Sequence, residues 1–161
     1  MIRPATLGDL PAIGAIWNPA IRETAQTFNS VEKTSDDLRA LYDSQRAAGY
    51  ALLVVEEDAL IGFGLYSQFR GGVGYARTME HTLYMAAAAR GKGAGAALLR
   101  ALEDHARAQG AHALIGGIAG ENPDSVRFHA RHGYAEVATL PQVGYKFGRY
   151  MDLVLMQKIL T

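Results

Sequence analysis

The sequence predicts an α+β fold: a mixed sheet with helices on both of its faces. Two observations carry that prediction. Apolar positions with the period of two and of 3.6 residues alternate in the order β-α-α-β-β-β-α-β-α-β-β. That order combines hairpins with strand–helix–strand crossovers, which a purely parallel or purely antiparallel sheet cannot accommodate. The 161 residues, 49% hydrophobic and 20% charged, suffice for one compact domain with a substantial core. No repeat, low-complexity tract or linker divides it, so residues 1–161 are expected to form one domain.

Residues 2–6 read as a short first strand. Thr6 and Asp9 offer caps for a helix whose apolar positions are Leu10, Ile13, Ile16, Trp17 and Ile21, and Pro11 confines its start to about residue 9. Thr34 and Asp37 form a capping-box pattern for a second helix that carries Leu38, Leu41 and Tyr42 and stops at Gly49. Ala51–Glu56 and Leu60–Gln68 are apolar and β-prone on either side of Glu57-Asp58-Ala59, which makes them a hairpin. Tyr75–Met85 is the expected central strand, followed by a glycine turn and a helix over Gly93–Gln109 that Gly110 ends. That helix is expected to bury Leu98, Leu99 and Leu102 and to turn Arg100, Glu103, Asp104 and Arg107 to water, with Glu103 and Arg107 as an i,i+4 pair. Ala113–Ile118 reads as a buried strand, and Asn122-Pro123 as the capped start of a helix that runs to Gly133. Tyr134–Leu140 and Tyr150–Ile159 supply the last strands.

Composition excludes several classes of function. Sixteen basic residues cancel sixteen acidic ones, which leaves no electrostatic footprint for nucleic acid or an anionic membrane. The absence of cysteine removes thiol nucleophiles, disulfides and Cys-ligated zinc. No charged-then-apolar leader pattern and no run of membrane-spanning length occurs, so the expected location is cytoplasmic. His129 and His132, with His81, lack a third ligand at a recognisable spacing, so no metal is expected. His105 and His112 read as surface residues, and Tyr134 as core.

Of the eighteen glycines, many cluster at 71–74, 91–95 and 116–120, a distribution that suggests backbone-lined sites. Residues 78–95 hold the most information. A strand carrying Glu80 leads into Arg90-Gly91-Lys92-Gly93-Ala94-Gly95 and then a helix. Such a turn offers backbone N–H groups and the positive end of a helix dipole to phosphate. It is not a nucleoside-triphosphate loop, because G-x-x-x-x-G-K-[ST] is absent. A dinucleotide fingerprint fails as well, since Leu98 stands where the third glycine belongs. Two readings stay open on spacing alone: a diphosphate cradle beside a carboxylate, or glycines that end a strand and let the helix pack closely.

Arg90-x-x-Gly93-x-Gly95 between a strand and a helix resembles the acetyl-CoA pyrophosphate loop of GNAT N-acetyltransferases. Thr78-Met79-Glu80-His81-Thr82-Leu83-Tyr84-Met85, Asn122-Pro123-Asp124-Ser125-Val126-Arg127-Phe128-His129 and the block from Leu140 to Asp152 are similar to the phosphinothricin and methionine sulfone/sulfoximine acetyltransferase branch. The resemblance spans nearly the whole chain. It implies the GNAT fold, a mixed and mostly antiparallel sheet of about seven strands flanked by about four helices. It also implies acetyl-CoA as donor and the α-amine of a small amino acid or analogue as acceptor. A homodimer is expected from the same resemblance.

Site residues follow from the same match. Glu80 is similar in position to the family's glutamate base, which receives the proton of the attacking ammonium. The backbone of Leu83, Tyr84 and Met85 is expected to splay at a bulge and hold the pantetheine arm, with the Met85 N–H facing the thioester oxyanion. Arg90, Gly91, Lys92, Gly93, Ala94 and Gly95 would hold the diphosphate. Asn122 matches a pantetheine-contacting asparagine and is equally an N-cap; His129 is either an acid for the departing thiolate, a pocket-shaping residue or a packed imidazole. Arg70 is the candidate for an acceptor carboxylate, and His81 and Thr82 flank Glu80 on the substrate side. Residues 70–77 depart from the branch: Arg77 stands one place later than the branch's arginine, which in a strand reverses its facing. Phe28, Tyr66, Phe69, Lys146 and Phe147 complete either the pocket, the core or a dimer contact. Transfer is expected to be direct, since no activated nucleophile stands out. The alternatives are another amine (a polyamine, an aminoglycoside or a protein N-terminus) or a CoA-sensing module without turnover.

Overall fold

The computed structural model describes all of residues 1–161. Seven strands form one sheet in the order β1-β2-β3-β4-β5-β7-β6: β1 (Ile2–Pro4), β2 (Leu52–Glu56), β3 (Leu60–Gln68), β4 (Thr78–Met85), β5 (Ala113–Ala119), β6 (Ala135–Lys146) and β7 (Arg149–Ile159). The helices are α1 (Leu10–Glu23), α2 (Ser35–Ala48), α3 (Ala94–Ala108) and α4 (Pro123–Arg131). Every strand pair is antiparallel except β4 and β5, which α3 connects as a crossover.

The period-two pattern distributes the strands between two cores. Leu52, Val54, Phe63, Leu65 and Tyr84 face α1 and α2, where Leu10, Ile13, Leu38 and Tyr42 meet them. Leu53, Val55, Tyr66, Met79, Leu114 and Met156 face α3 and its Leu98, Leu99 and Leu102. The α2 capping box forms as its sequence dictates: Asp37 N–H donates to the Thr34 hydroxyl at 3.1 Å and Thr34 N–H to the Asp37 carboxylate at 2.9 Å. Gly49 closes that helix in the left-handed region, at φ +72°.

Several elements differ from expectation. The first strand stops at Pro4, and Leu7–Asp9 forms a 3-10 turn before α1. The central strand begins at Thr78, because Val73–Tyr75 coil into another 3-10 turn after the exposed glycines 71 and 72. β6 continues past Pro141 to Lys146 by bulging between Leu140 and Gly144, with Gln142 at φ +58° and its N–H held by Asp152 Oδ1 at 2.9 Å. Glu103 is buried: it accepts from the Tyr134 hydroxyl and from Lys158 Nζ, both at 2.9 Å. Arg107 instead pairs with Asp104 at 2.9 Å and donates to the Leu160 carbonyl. Position 103 lies one turn after Leu99, on the flank of the apolar stripe, so the partners on β7 and before β6 decide its burial. His105 is half-buried and bonds the Tyr66 hydroxyl at 2.6 Å, so it is not a free surface residue.

Candidate active site

β4 and β5 pair only from Thr78↔Ala113 to His81↔Gly116, although both strands continue beyond those residues. They part there, and a cavity of about 240 Å³ occupies the splay. Its walls come from β4 (Glu80 to Tyr84), β5 (Gly117 to Ala119), α4 (Phe128, His129) and the segment after α1 (Gln26, Thr27, Phe28). Phe69 N–H donates to the Thr78 carbonyl and Ala86 N–H to the Ile61 carbonyl, so even-numbered β4 residues direct their backbone groups to β3. Alternation then points the N–H and C=O of Leu83 and Met85 into the splay. The expected bulge is absent: the β3–β4 register runs unbroken from Gly62↔Met85 to Gln68↔Met79. The splay arises from the divergence of β5 alone. Met85's side chain faces α3, and its sulfur occupies the space that a side chain at Gly62 would fill.

Glu80 is half-buried on the other face, beside Thr82. A Cβ at Gly117 would lie 3.0 Å from its Oε2, so that glycine makes room for the carboxylate over β5. Glu80 takes part in no ion pair, and Arg77 is exposed. Burial without a cation raises its pKa above the ordinary glutamate value. A carboxylate of that kind, lining a cavity, is a stronger proton acceptor than an exposed glutamate.

At the far end of β4 the chain turns through Arg90 and Gly91-Lys92-Gly93 into α3. Gly91 and Gly93 adopt φ +78° and +84°, and Gly93 begins the helix with no side-chain cap. The first-turn amides are therefore uncovered, no acid stands among them, and Arg90 and Lys92 lie exposed alongside. Ala94 and Gly95 form the helix's first two residues, with Gly95 against Met85 and Phe128. Asn122 caps α4, its Oδ1 accepting from Ser125 N–H at 3.2 Å, which leaves its amide nitrogen uncommitted.

His81 and His129 meet behind Glu80. His81 projects to the α4 side of the sheet, where the two Nε2 atoms lie 3.0 Å apart, so it stands in the wall and not beside the carboxylate. His129 Nδ1 lies 2.7 Å from the Ser125 carbonyl. Burial lowers both pKa values, that of His81 to about 4.

Arg70 is not brought to the cavity. It is exposed beyond β3, with its guanidinium 5.8 Å from the Tyr75 ring. The tight turn over Val73–Tyr75, unlike an extended approach to β4, holds it outward. Of the five further candidates, Phe28 lines the cavity, Tyr66 is core, Phe69 is half-buried and Phe147 is exposed at the β6–β7 turn. Lys146 is buried one layer out: its Nζ donates to the carbonyls of Thr24 and Thr27, at 2.6 and 2.8 Å. Gln26, Thr27 and Leu153 also line the cavity, and no local sequence motif marks them. Gly117 was signalled only by the glycine cluster at 116–120.

An uncovered helix start thus stands at one end of the splayed strand and a half-buried, unpaired carboxylate toward the other. A profile described as the Acetyltransferase (GNAT) family matches residues 18–134, and the chain belongs to that family. It is 39% identical over 158 residues to the L-methionine sulfoximine/L-methionine sulfone acetyltransferase of Pseudomonas aeruginosa, covering 97% of this chain and 92% of the relative. It is 35% identical over 161 residues to a phosphinothricin N-acetyltransferase of Streptomyces coelicolor, covering 98% and 94%. An acetyltransferase of Salmonella typhimurium, solved with its cofactor acetyl-CoA, superposes with a TM-score of 0.96 at 38% identity, covering 100% of this chain and 94% of that one. The fold is the GNAT fold, the activity is N-acetyl transfer, and acetyl-CoA is the donor.

Proposed function

We propose that the protein acetylates the α-amine of a small amino acid or analogue, of the methionine sulfone, methionine sulfoximine or phosphinothricin type, by direct transfer from acetyl-CoA. The observation that carries the catalytic part is Glu80: a half-buried carboxylate without a cation, opening on the splay that exposes the Leu83–Met85 backbone. The named relatives support the acceptor class.

In this reading the diphosphate lies on the amides of Gly91 to Gly95 with Arg90 and Lys92 alongside, and the pantetheine arm follows Leu83–Met85 with Asn122 at its flank. The Met85 N–H polarises the thioester carbonyl and stabilises the oxyanion. Glu80 takes the ammonium proton, which frees the nitrogen lone pair for attack. Thr82 and Phe28 flank the acceptor, and His129 walls the thioester end. One domain performs all of this, in the cytoplasm and as a homodimer. Exposed Tyr145 and Tyr150 on the β6–β7 hairpin support the dimer.

No arginine or lysine stands among the cavity's lining residues, and Arg70 lies outside it. That observation favours a second reading with the same chemistry on an amine that carries no carboxylate. A panel of amines at fixed acetyl-CoA, read as free thiol released, decides between them. Methionine sulfone, methionine sulfoximine and phosphinothricin are expected to show the highest kcat/KM. A polyamine or a peptide N-terminus turning over faster would replace the first reading with the second.

A further inference from the structure

The His81–His129 pair is buried more completely than acid–base chemistry with substrate requires, and its hydrogen bonds have one consistent direction. A carbonyl can only accept, so His129 Nδ1, 2.7 Å from the Ser125 carbonyl, carries the hydrogen. Neutral His129 is then bare at Nε2 and must receive the hydrogen of His81 Nε2, 3.0 Å away. His81 Nδ1 is left bare, and it is the one buried side-chain nitrogen or oxygen without a partner.

The surroundings form a fitted slot. Gly116 lies beneath both rings: a Cβ there would stand 2.8 Å from His81 Cε1 and 3.3 Å from His129 Nε2. Tyr134 meets the His129 ring edge-on at 5.2 Å and lies 5.8 Å from His81, while Phe128 closes the other edge of His129 at 5.3 Å. The ionisable groups around the pair are Glu80 on the opposite face of β4, Glu103 on α3, His132 at the C-terminal cap of α4 and Tyr134. Glu103 is already held by Tyr134 and Lys158, and neither imidazole hydrogen-bonds to a carboxylate.

We propose that His81 is a positioning residue that locks His129 as a neutral Nδ1–H imidazole, giving the thioester end of the cavity a fixed wall with no acidic proton. This rests on the acetyltransferase reading of that cavity. An imidazolium at His129 would need to donate from both nitrogens, which would force His81 to release its Nε2 hydrogen and reprotonate at Nδ1. The depressed pKa values agree with the neutral pair. It follows that the departing thiolate takes its proton from solvent and that Glu80 is the group of this cavity whose titration gates the rate.

Nitrogen-15 NMR of the histidine-labelled free enzyme tests the assignment between about pH 5 and pH 8. His129 is expected to show one protonated and one bare nitrogen throughout, with the hydrogen on Nδ1. His81→Leu removes the donor and should raise the His129 titration by about one unit or more. His81→Gln, whose amide N–H can replace the donor, should restore the wild-type signature. A wild-type His129 that titrates near about 6.5, or that carries its hydrogen on Nε2, overturns the proposal. So does a His129 signal that His81→Leu leaves unmoved; should that variant fail to fold, the wild-type spectrum and His81→Gln decide. Because the free enzyme is observed, a correct spectrum without acetyl transfer to any amine would sink the functional reading and not the tautomer assignment.

Discussion

Glu80 shows how one side chain's environment sets both its chemistry and its cost. Burial favours its neutral form, so folded protein binds that proton more tightly than the unfolded chain does. Its contribution to stability is complete below the ordinary glutamate range and is lost as pH rises through the raised folded value. At neutral pH the carboxylate therefore opposes folding, a cost that its proposed role as proton acceptor accounts for. Glu80→Gln is expected to lower kcat by about 10²–10⁴-fold with little change in acetyl-CoA KM, and to melt no lower than the wild type at neutral pH. In the wild type, kcat/KM should fall toward acid with a midpoint above about 4.3, and the variant should lose that limb. A variant that keeps both rate and limb would remove Glu80 from the mechanism. The placement that local spacing sets is legible in the sequence: Glu80 on a strand, and the Gly91–Gly95 turn opening a helix. Placement that depends on a distant partner is not: Glu103 reads as solvent-facing until Tyr134 and Lys158 are placed beside it. His81 lines the cavity as Glu80 and Thr82 do, but its contact with His129 is not legible until β4's alternation and α4 are in place.

At the scale of elements, capping and alternation made helices and hairpins readable, and long-range register hid the rest. Pro141 and Gly144 argue for an end to β6, yet the β7 partner carries the strand through a bulge to Lys146. That extension has a functional consequence. It sets Gly144 against the Phe28 ring, where a Cβ would lie 2.5 Å from ring carbons, and it ties Lys146 to the carbonyls of Thr24 and Thr27. The cavity is thus walled on one side, next to the acceptor in the proposed reading, by a segment between α1 and α2 that the β6–β7 hairpin fixes. Burial without a carboxylate lowers the Lys146 pKa, but two short hydrogen bonds hold the ammonium in place. Lys146→Met is expected to lower the melting temperature and to raise amine KM by about tenfold, the equivalent of ~1.4 kcal/mol, while acetyl-CoA KM stays within experimental error. Lys146→Arg should recover part of the amine KM. Equal losses on both substrates would mean that the lysine supports the fold in general and not the acceptor wall.

For the whole molecule, the same hairpin links the cavity to the outer surface. β6 is the last strand of the sheet, and one of its edges has no partner within the chain. Val143, Tyr145 and Tyr150 are 57%, 60% and 67% exposed there, and Tyr145 and Tyr150 stand directly opposite each other with rings 4.9 Å apart. An unpaired edge beside exposed aromatic side chains favours association, and a chain with no net charge adds no long-range repulsion between copies. We therefore expect the wild type to sediment at twice the 17.3 kDa of one chain, and Tyr145→Glu/Tyr150→Glu to sediment at that single mass. A wild type that stays at 17.3 kDa at every concentration tested would end the dimer reading. Kinetics add a second comparison, because Tyr145 lies between Gly144, which seats Phe28, and Lys146, which holds Thr24 and Thr27. Loosening the hairpin by removing its partner should raise amine KM more than acetyl-CoA KM, as is expected of Lys146→Met. The donor end depends on β4 and α3, on the far side of β5 from the hairpin, and should bind acetyl-CoA in monomer and dimer alike.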